Sequence, residues 1–150
     1  MKLASALTER SDLQRRHSEL KVRLQNNAKV QEGDKPAEDP KALLEELDSI
    51  LSKYEELVAR INLTNSKTVI DGVTLTELLA KREAVKLKND TLRMFLDNAS
   101  QKVDRYSRTE IKIESTVDVK KIQTVCDANS KVLREIDEKI QEANWSTELM

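Results

Sequence analysis

The chain has 150 residues, of which 35% are charged and 3% aromatic, with two glycines, two prolines and a formal net charge of −1. This length suits one domain with a single core, and the composition is typical of long helices. The balanced charge argues against nucleic-acid binding, which usually needs a basic excess.

The lone cysteine excludes an intramolecular disulfide. The N-terminal stretch lacks the apolar core of a signal peptide, and no window approaches the ~18 apolar residues of a membrane span. We therefore expect a single domain over residues 1–150, soluble and cytoplasmic, with no membrane and no nucleic-acid partner.

Apolar residues at three- and four-residue spacing predict two helices in the first half of the chain. The first covers 2–28, with Arg10 and His17 as polar interruptions of its inner face. The second covers 41–67 and begins after Asp39, which can cap it because proline follows at the first helical position. Its inner residues and the three that widen the stripe are Leu43, Leu47, Ile50, Tyr54, Leu57 and Ile61, with Leu44, Leu51 and Val58.

The second half predicts two more helices, over 75–104 and 117–143. An Asp71-Gly72 turn precedes the third helix, whose inner face is interrupted by Arg82 and Asn89. Matched helix lengths favour an all-α, antiparallel up-down-up-down four-helix bundle.

The connection over 104–118 is the one place in the second half where alternation replaces helical periodicity. Ile111 and Ile113 alternate with charged residues, as in a short strand. We expect this β-like connection to pair with 29–31 at one end of the bundle, and 68–70 is the weaker candidate for pairing.

The same connection concentrates Arg105, Tyr106 and Arg108 near a helix start, which is a plausible anion-binding arrangement. Alternatively, these residues pair with neighbouring carboxylates and fix the loop. The residues that could share this anion or interaction patch from the end of the first helix are Asn26, Asn27 and Lys29.

Four segments carry a resemblance to a known family: 24–33 (LQNNAKVQEG), 60–65 (RINLTN), 103–111 (VDRYSRTEI) and 141–149 (QEANWSTEL). On these the chain resembles the septicolysin-like family of small bacterial helical proteins, over nearly its whole length. The family is biochemically uncharacterised, so the resemblance implies no catalytic residues. Its name suggests a cytolysin, but the sequence lacks the aromatic amphipathic face of an interfacial helix.

Counting helical rise places four polar inner residues at the same height: His17, Tyr54, Asn89 and Asn129. We expect them to form one hydrogen-bonded layer that fixes the register of an aliphatic core. The same count predicts that Arg10 and Arg82 need carboxylate partners from the second or fourth helix.

Few residues in the sequence indicate catalytic activity. With His17 as the only histidine, a metal site would need mainly carboxylates, and we predict no metal and no cofactor. Cys126 lies on an inner face and is expected to pack as a small hydrophobe rather than act as a nucleophile.

Trp145, after the fourth helix, either folds back near Asn62 and Asn65 or anchors a neighbouring subunit. The sequence thus favours a non-enzymatic coiled-coil or bundle protein that acts in protein interaction or assembly as a homo-oligomer. The alternative is a protein that binds a small ligand or anion at the 104–118 end.

Overall fold

The computed structural model describes residues 1–101 and 112–150. Its four long helices confirm the predicted all-α class, and a small two-stranded sheet lies between the second and third helices. The elements are α1 (Leu3–Asn26), α2 (Pro40–Lys67), β1 (Val69–Ile70), β2 (Val73–Thr74), α3 (Leu75–Ser100) and α4 (Val119–Ser146).

The chain divides into two compact units. The first unit contains Met1–Leu75 and Gln141–Met150, and the second contains Thr76–Ile140. The organisation of 1–150 as a single domain remains a prediction.

In the first unit, α1 and α2 pack side by side in opposite directions. Gln14 donates a hydrogen bond from Nε2 to the Tyr54 hydroxyl over 3.2 Å, and Arg23 donates from Nη1 to Glu46 over 3.3 Å. Because the contacts move forward along α1 as they move backward along α2, the pair is antiparallel. The buried apolar residues of the two helices are Leu3, Ala6, Leu13, Leu20, Leu43, Ile50, Leu57 and Ile61.

Side-chain hydrogen bonds fix the connection between α1 and α2. The buried Asn27 amide donates to the Arg23 carbonyl over 2.9 Å and accepts from the Glu38 backbone N–H over 2.9 Å. Arg23 also donates from Nε to the Glu38 carboxylate over 3.1 Å, and this bond lowers the pKa of Glu38. Asp39 then caps α2 as predicted, because its carboxylate accepts from the Lys41 N–H over 3.1 Å.

The β pairing differs from the prediction. β1 and β2 form an antiparallel hairpin around Asp71 (φ 51°) and Gly72 (φ 85°), whereas residues 29–31 and 112–113 belong to no strand and Ile111 lies outside the described residues. An Asp-Gly loop with two positive φ angles matches the twist of a two-residue hairpin. A local hairpin also closes a far shorter loop than the predicted pairing, and therefore has the lower entropic cost.

The last residues of the chain add to the first unit. The Leu3 N–H donates to the Thr147 carbonyl over 2.9 Å, so the C-terminal segment lies beside the start of α1. Thr64 Oγ1 accepts from the Met150 N–H over 3.0 Å, and Arg60 donates from Nε to the Met150 carbonyl over 2.7 Å. The segment therefore joins the beginning of α1 to the end of α2.

In the second unit, α3 and α4 are also antiparallel. Arg82 on α3 pairs with Asp137 on α4 over 3.4 Å, which confirms the carboxylate partner expected for this arginine. One further contact lies two turns along α3 and two turns back along α4, where Asn89 donates to Ser130 over 3.2 Å. The third helix ends at Ser100, earlier than the predicted residue 104, and residues 102–104 lie outside the described part of the chain.

Candidate functional site

An apolar groove lies between α1 and α2 near their midpoints. It forms an open pocket of about 230 Å³, and its lining residues are Leu13, Gln14 and His17 from α1 with Ile50, Leu51 and Tyr54 from α2. Leu13 and Ile50 are buried and form its floor, whereas His17 and Leu51 are exposed at its edges. We call this feature the α1–α2 groove.

The groove exists because α2 has more apolar surface than α1 covers. One stripe of α2, including Ile50, is buried. The neighbouring stripe consists of Leu44 and Leu51, which are 52% and 43% exposed, and the half-buried Val58. Their seven-residue spacing places all three on one side of the helix. The sequence had indicated these three residues only as a widening of the core stripe.

Arg10 lies one helical turn before Leu13 on the same side of α1. It is half-buried, and it has no ion-pair partner among residues 1–101 and 112–150. Its Nε is buried and lacks a hydrogen-bond acceptor within the same residues. The carboxylate expected for this arginine is therefore not found on α2.

The predicted polar layer is divided between the two units. In the first unit, Tyr54 is half-buried and lines the α1–α2 groove together with His17. The His17 side chain is exposed, which corrects the expectation of a buried core histidine. Leu13 and Leu20 on the same face of α1 are buried, whereas His17 is exposed because the groove leaves this part of the helix pair open.

In the second unit, Asn89 and Asn129 do meet. Asn89 is 2% exposed, its Nδ2 donates to Ser130 Oγ, and its Oδ1 accepts from Asn129 Nδ2 at 3.5 Å. Ser130 Oγ also accepts from Arg93 Nη2 over 3.1 Å and donates to the Cys126 carbonyl over 2.9 Å. This partly buried cluster, with Asn89 at its centre, joins α3 to α4. A single layer of His17, Tyr54, Asn89 and Asn129 remains a prediction.

Beside this cluster the second unit has a polar depression of about 420 Å³. Arg82, Lys86 and Arg93 supply its positive charges, and three carboxylates supply an equal negative charge. Because the charges balance, the depression has no electrostatic preference for an anion. Its lining residues are Arg82, Glu83, Lys86, Asn89, Asp90, Arg93, Leu133 and Asp137.

The predicted anion or interaction patch is only partly described. Its main residues, Arg105, Tyr106 and Arg108, lie outside the described residues. Of the others, Asn26 and Lys29 are exposed. Asn27 is buried, and both ends of its amide are engaged in fixing the α1–α2 connection, so this side chain is structural.

Residues 10–149 match DUF6847, a family of unknown function. The chain belongs to this family. The structure is also similar to the crystal structure of a functionally unknown conserved protein from Corynebacterium diphtheriae, with a TM-score of 0.93 and 44% sequence identity. That match covers 100% of this chain and 99% of the other. No curated protein matches the chain.

Membership of DUF6847 replaces the family label suggested by the sequence. Both comparisons lead to uncharacterised proteins, as the resemblance implied, but neither supports the septicolysin-like name. Within the residues that the structure describes, no helix is long and apolar enough to cross a membrane.

The remaining candidates of the DUF6847 chain are Trp145 and Cys126. The Trp145 indole is 67% exposed, so it does not fold back onto the end of the bundle, and its role as an interface anchor remains a prediction. Cys126 is buried and unpaired, at an inner position of α4 as expected. Over 1–101 and 112–150, no group of three His, Cys, Asp or Glu side chains is placed to hold a metal ion.

Proposed function

We propose that this DUF6847 protein is a non-enzymatic interaction protein of the cytoplasm, and that its α1–α2 groove binds an amphipathic helix of a protein partner. One observation carries the proposal. Leu51 lines a groove that already has an apolar floor, and Leu44 is exposed one heptad before it on the same side of α2. A helix placed in such a groove inserts apolar side chains at three-, four- and seven-residue spacing.

The size of the groove supports a side chain as its occupant. Cofactor and drug-sized ligand sites usually have volumes of ~300–1,000 Å³, with several convergent polar groups. This pocket has about 230 Å³, and its polar side chains are Gln14, His17 and Tyr54. A pocket of this kind suits one apolar anchor residue, since interface energy concentrates in a few well-packed side chains.

The exposed stripe extends the contact beyond the pocket. Complete burial of a leucine side chain is worth about 1.5–3 kcal/mol, so covering the exposed halves of Leu44 and Leu51 would contribute about 1 kcal/mol each. This free energy is not gained while the stripe faces water. It becomes available when a partner helix lies along α2.

The charge of Arg10 indicates which way a partner helix would lie in the groove. Arg10 lies at the end of the groove nearest Val58, because Gln14 is opposite Tyr54 and the helices are antiparallel. Its guanidinium has no carboxylate partner in the described part of the chain. A partner helix with Asp or Glu at this end would supply one, and a charge-assisted hydrogen bond of this type is stronger than a neutral one.

The alternative function, binding of a small anion at the 104–118 end, rests on Arg105, Tyr106 and Arg108. These residues lie outside the described part of the chain, and the alternative remains a prediction. Exposed Trp145 is a candidate for a second contact with a partner, because aromatic residues are enriched at interfaces.

Two matched substitutions on α2 test the proposal. Leu51→Asp places a charge at the groove, and Leu63→Asp places the same charge at a 48% exposed leucine outside it. Proteins retained by the wild type from lysates of the source cells are identified, purified and titrated against all three forms. We expect a partner that binds wild type and Leu63→Asp equally and loses at least tenfold in affinity for Leu51→Asp, since burying the carboxylate is unfavourable. Equal binding to all three forms would refute the groove as the site.

A further inference from the structure

A second apolar stripe runs along the outer side of α3. Its residues alternate at four- and three-residue spacing, and all are exposed: Ala80, Ala84, Leu87, Thr91 and Met94. Leu87 is 60% exposed and Met94 is 69% exposed. Leu87 lies two residues, or about 200° of helical rotation, from the buried Asn89 that faces α4. The stripe is therefore on the side of α3 opposite to its partner in the second unit.

The spacing is that of a coiled-coil seam, in which the a and d positions of a seven-residue repeat face another helix. Ala84 and Thr91 occupy a, and Ala80, Leu87 and Met94 occupy d. The small residues in the first half of the stripe would let two helix backbones approach closely. Leu87 and Met94 would supply most of the buried apolar area in the second half.

Charged residues border this stripe in a regular order. The g positions on one side are acidic, and the first two e positions on the other side are basic. The acidic residues are Glu83, Asp90 and Asp97, and the basic residues are Lys81 and Lys88. None of the five forms an ion pair with the described residues of this chain, so their charges are available to another molecule.

We propose that α3 pairs in parallel with α3 of a second copy of this chain. In a parallel pair the g position of one helix lies beside the e position of the next repeat on the other helix. This places Glu83 beside Lys88 of the second copy, twice by symmetry. An antiparallel pair instead brings g beside g, and would bring Glu83, Asp90 and Asp97 of both chains together. Charge complementarity thus selects a second copy and its direction.

The stripe is short, and this sets the strength of the association. Residues 80 to 98 span about 27 Å at 1.5 Å per residue. A contact of one helix along this length falls among the small interfaces, below ~1,200 Å² in total, which are weak or transient. The dimer is therefore reversible and forms with increasing protein concentration. It uses α3 alone and does not depend on the function proposed for the α1–α2 groove.

A charge exchange between two variants tests both the surface and the direction. In Glu83→Lys, lysine faces Lys88 of the second copy, and in Lys88→Glu, glutamate faces Glu83. Each variant alone should dimerise about tenfold more weakly than wild type in sedimentation equilibrium, because two attractive pairs become repulsive. An equimolar mixture should recover the wild-type affinity, since both pairs are attractive in the mixed dimer.

Three results would contradict the proposal. A wild type that stays at 17.1 kDa at every concentration would overturn the dimer. A Glu83→Lys protein that associates more tightly would overturn the parallel direction, because lysine at g relieves acidic repulsion in an antiparallel pair. Leu87→Asp should abolish association, and Val22→Asp, at a 54% exposed valine on α1, should not. Circular dichroism of both variants should match wild type, and equal association of the two would place the contact elsewhere.

Discussion

Replacing Asn89 with alanine should destabilise the second unit far more than the same change at an exposed asparagine. The Asn89 side chain is 2% exposed and makes two hydrogen bonds, to Ser130 and from Asn129. Two neutral hydrogen bonds contribute about 1 kcal/mol each, and the vacated space adds about 1 kcal/mol. We expect Asn89→Ala to lower the free energy of unfolding by about 2–3 kcal/mol.

Asn98→Ala is the matched control for this change. Asn98 lies on the same helix and is exposed, and its amide donates only to the Met94 carbonyl, four residues earlier. The gain in helix propensity is equal for the two variants, so it cancels from their difference. Urea unfolding followed by circular dichroism measures both, with unchanged slopes showing that the same surface unfolds. Equal midpoints for the two variants would refute the assignment of Asn89 as a buried structural contact.

Three further changes test the first unit. Gly72→Ala should lower the melting temperature, because a left-handed φ of 85° costs a residue with a side chain about 1–2 kcal/mol. Thr64→Val removes the acceptor of the Met150 N–H, so hydrogen exchange at that amide should become faster while α2 stays protected. The hydrogen bond from Arg23 lowers the pKa of Glu38 in the folded protein. The pair therefore stabilises the fold fully above pH 4.5, and this stabilisation is lost as the pH falls through the lowered pKa of the folded state. Glu38→Gln should therefore flatten the fall in stability with acid, and an unchanged pH profile would contradict this.

Local chemistry made most of the fold predictable. Helical spacing and the Asp39-Pro40 start gave α2 to within one residue at both ends. The hairpin around Asp71-Gly72 was missed because that pair was treated as a simple turn, although its two flanking residues on each side can pair. The contact of residues 147–150 with α1 and α2 depends on backbone atoms far apart in sequence, and side-chain patterns do not record such contacts.

The candidate site was harder to predict from the sequence than the fold. Counting helical rise predicted that Asn89 and Asn129 lie together and that Arg82 has a carboxylate partner from α2 or α4, and both contacts are found between α3 and α4. His17 was wrongly predicted to be buried. Helical periodicity shows which side of the helix a residue lies on, but not how completely a neighbouring helix covers that side. The exposed stripe on α3 could have been predicted from the sequence, because Leu87 and Met94 are seven residues apart and opposite charges flank the repeat.

Photo-crosslinking inside the source cells tests whether a protein partner occupies the α1–α2 groove. A photoreactive phenylalanine analogue replaces Leu51 at the groove or, as the control, the exposed Leu63 on the same helix. We expect a discrete covalent adduct with another protein from position 51, and none from position 63. Absence of an adduct at 51, or the same adducts from both positions, would show that no partner is bound in the groove.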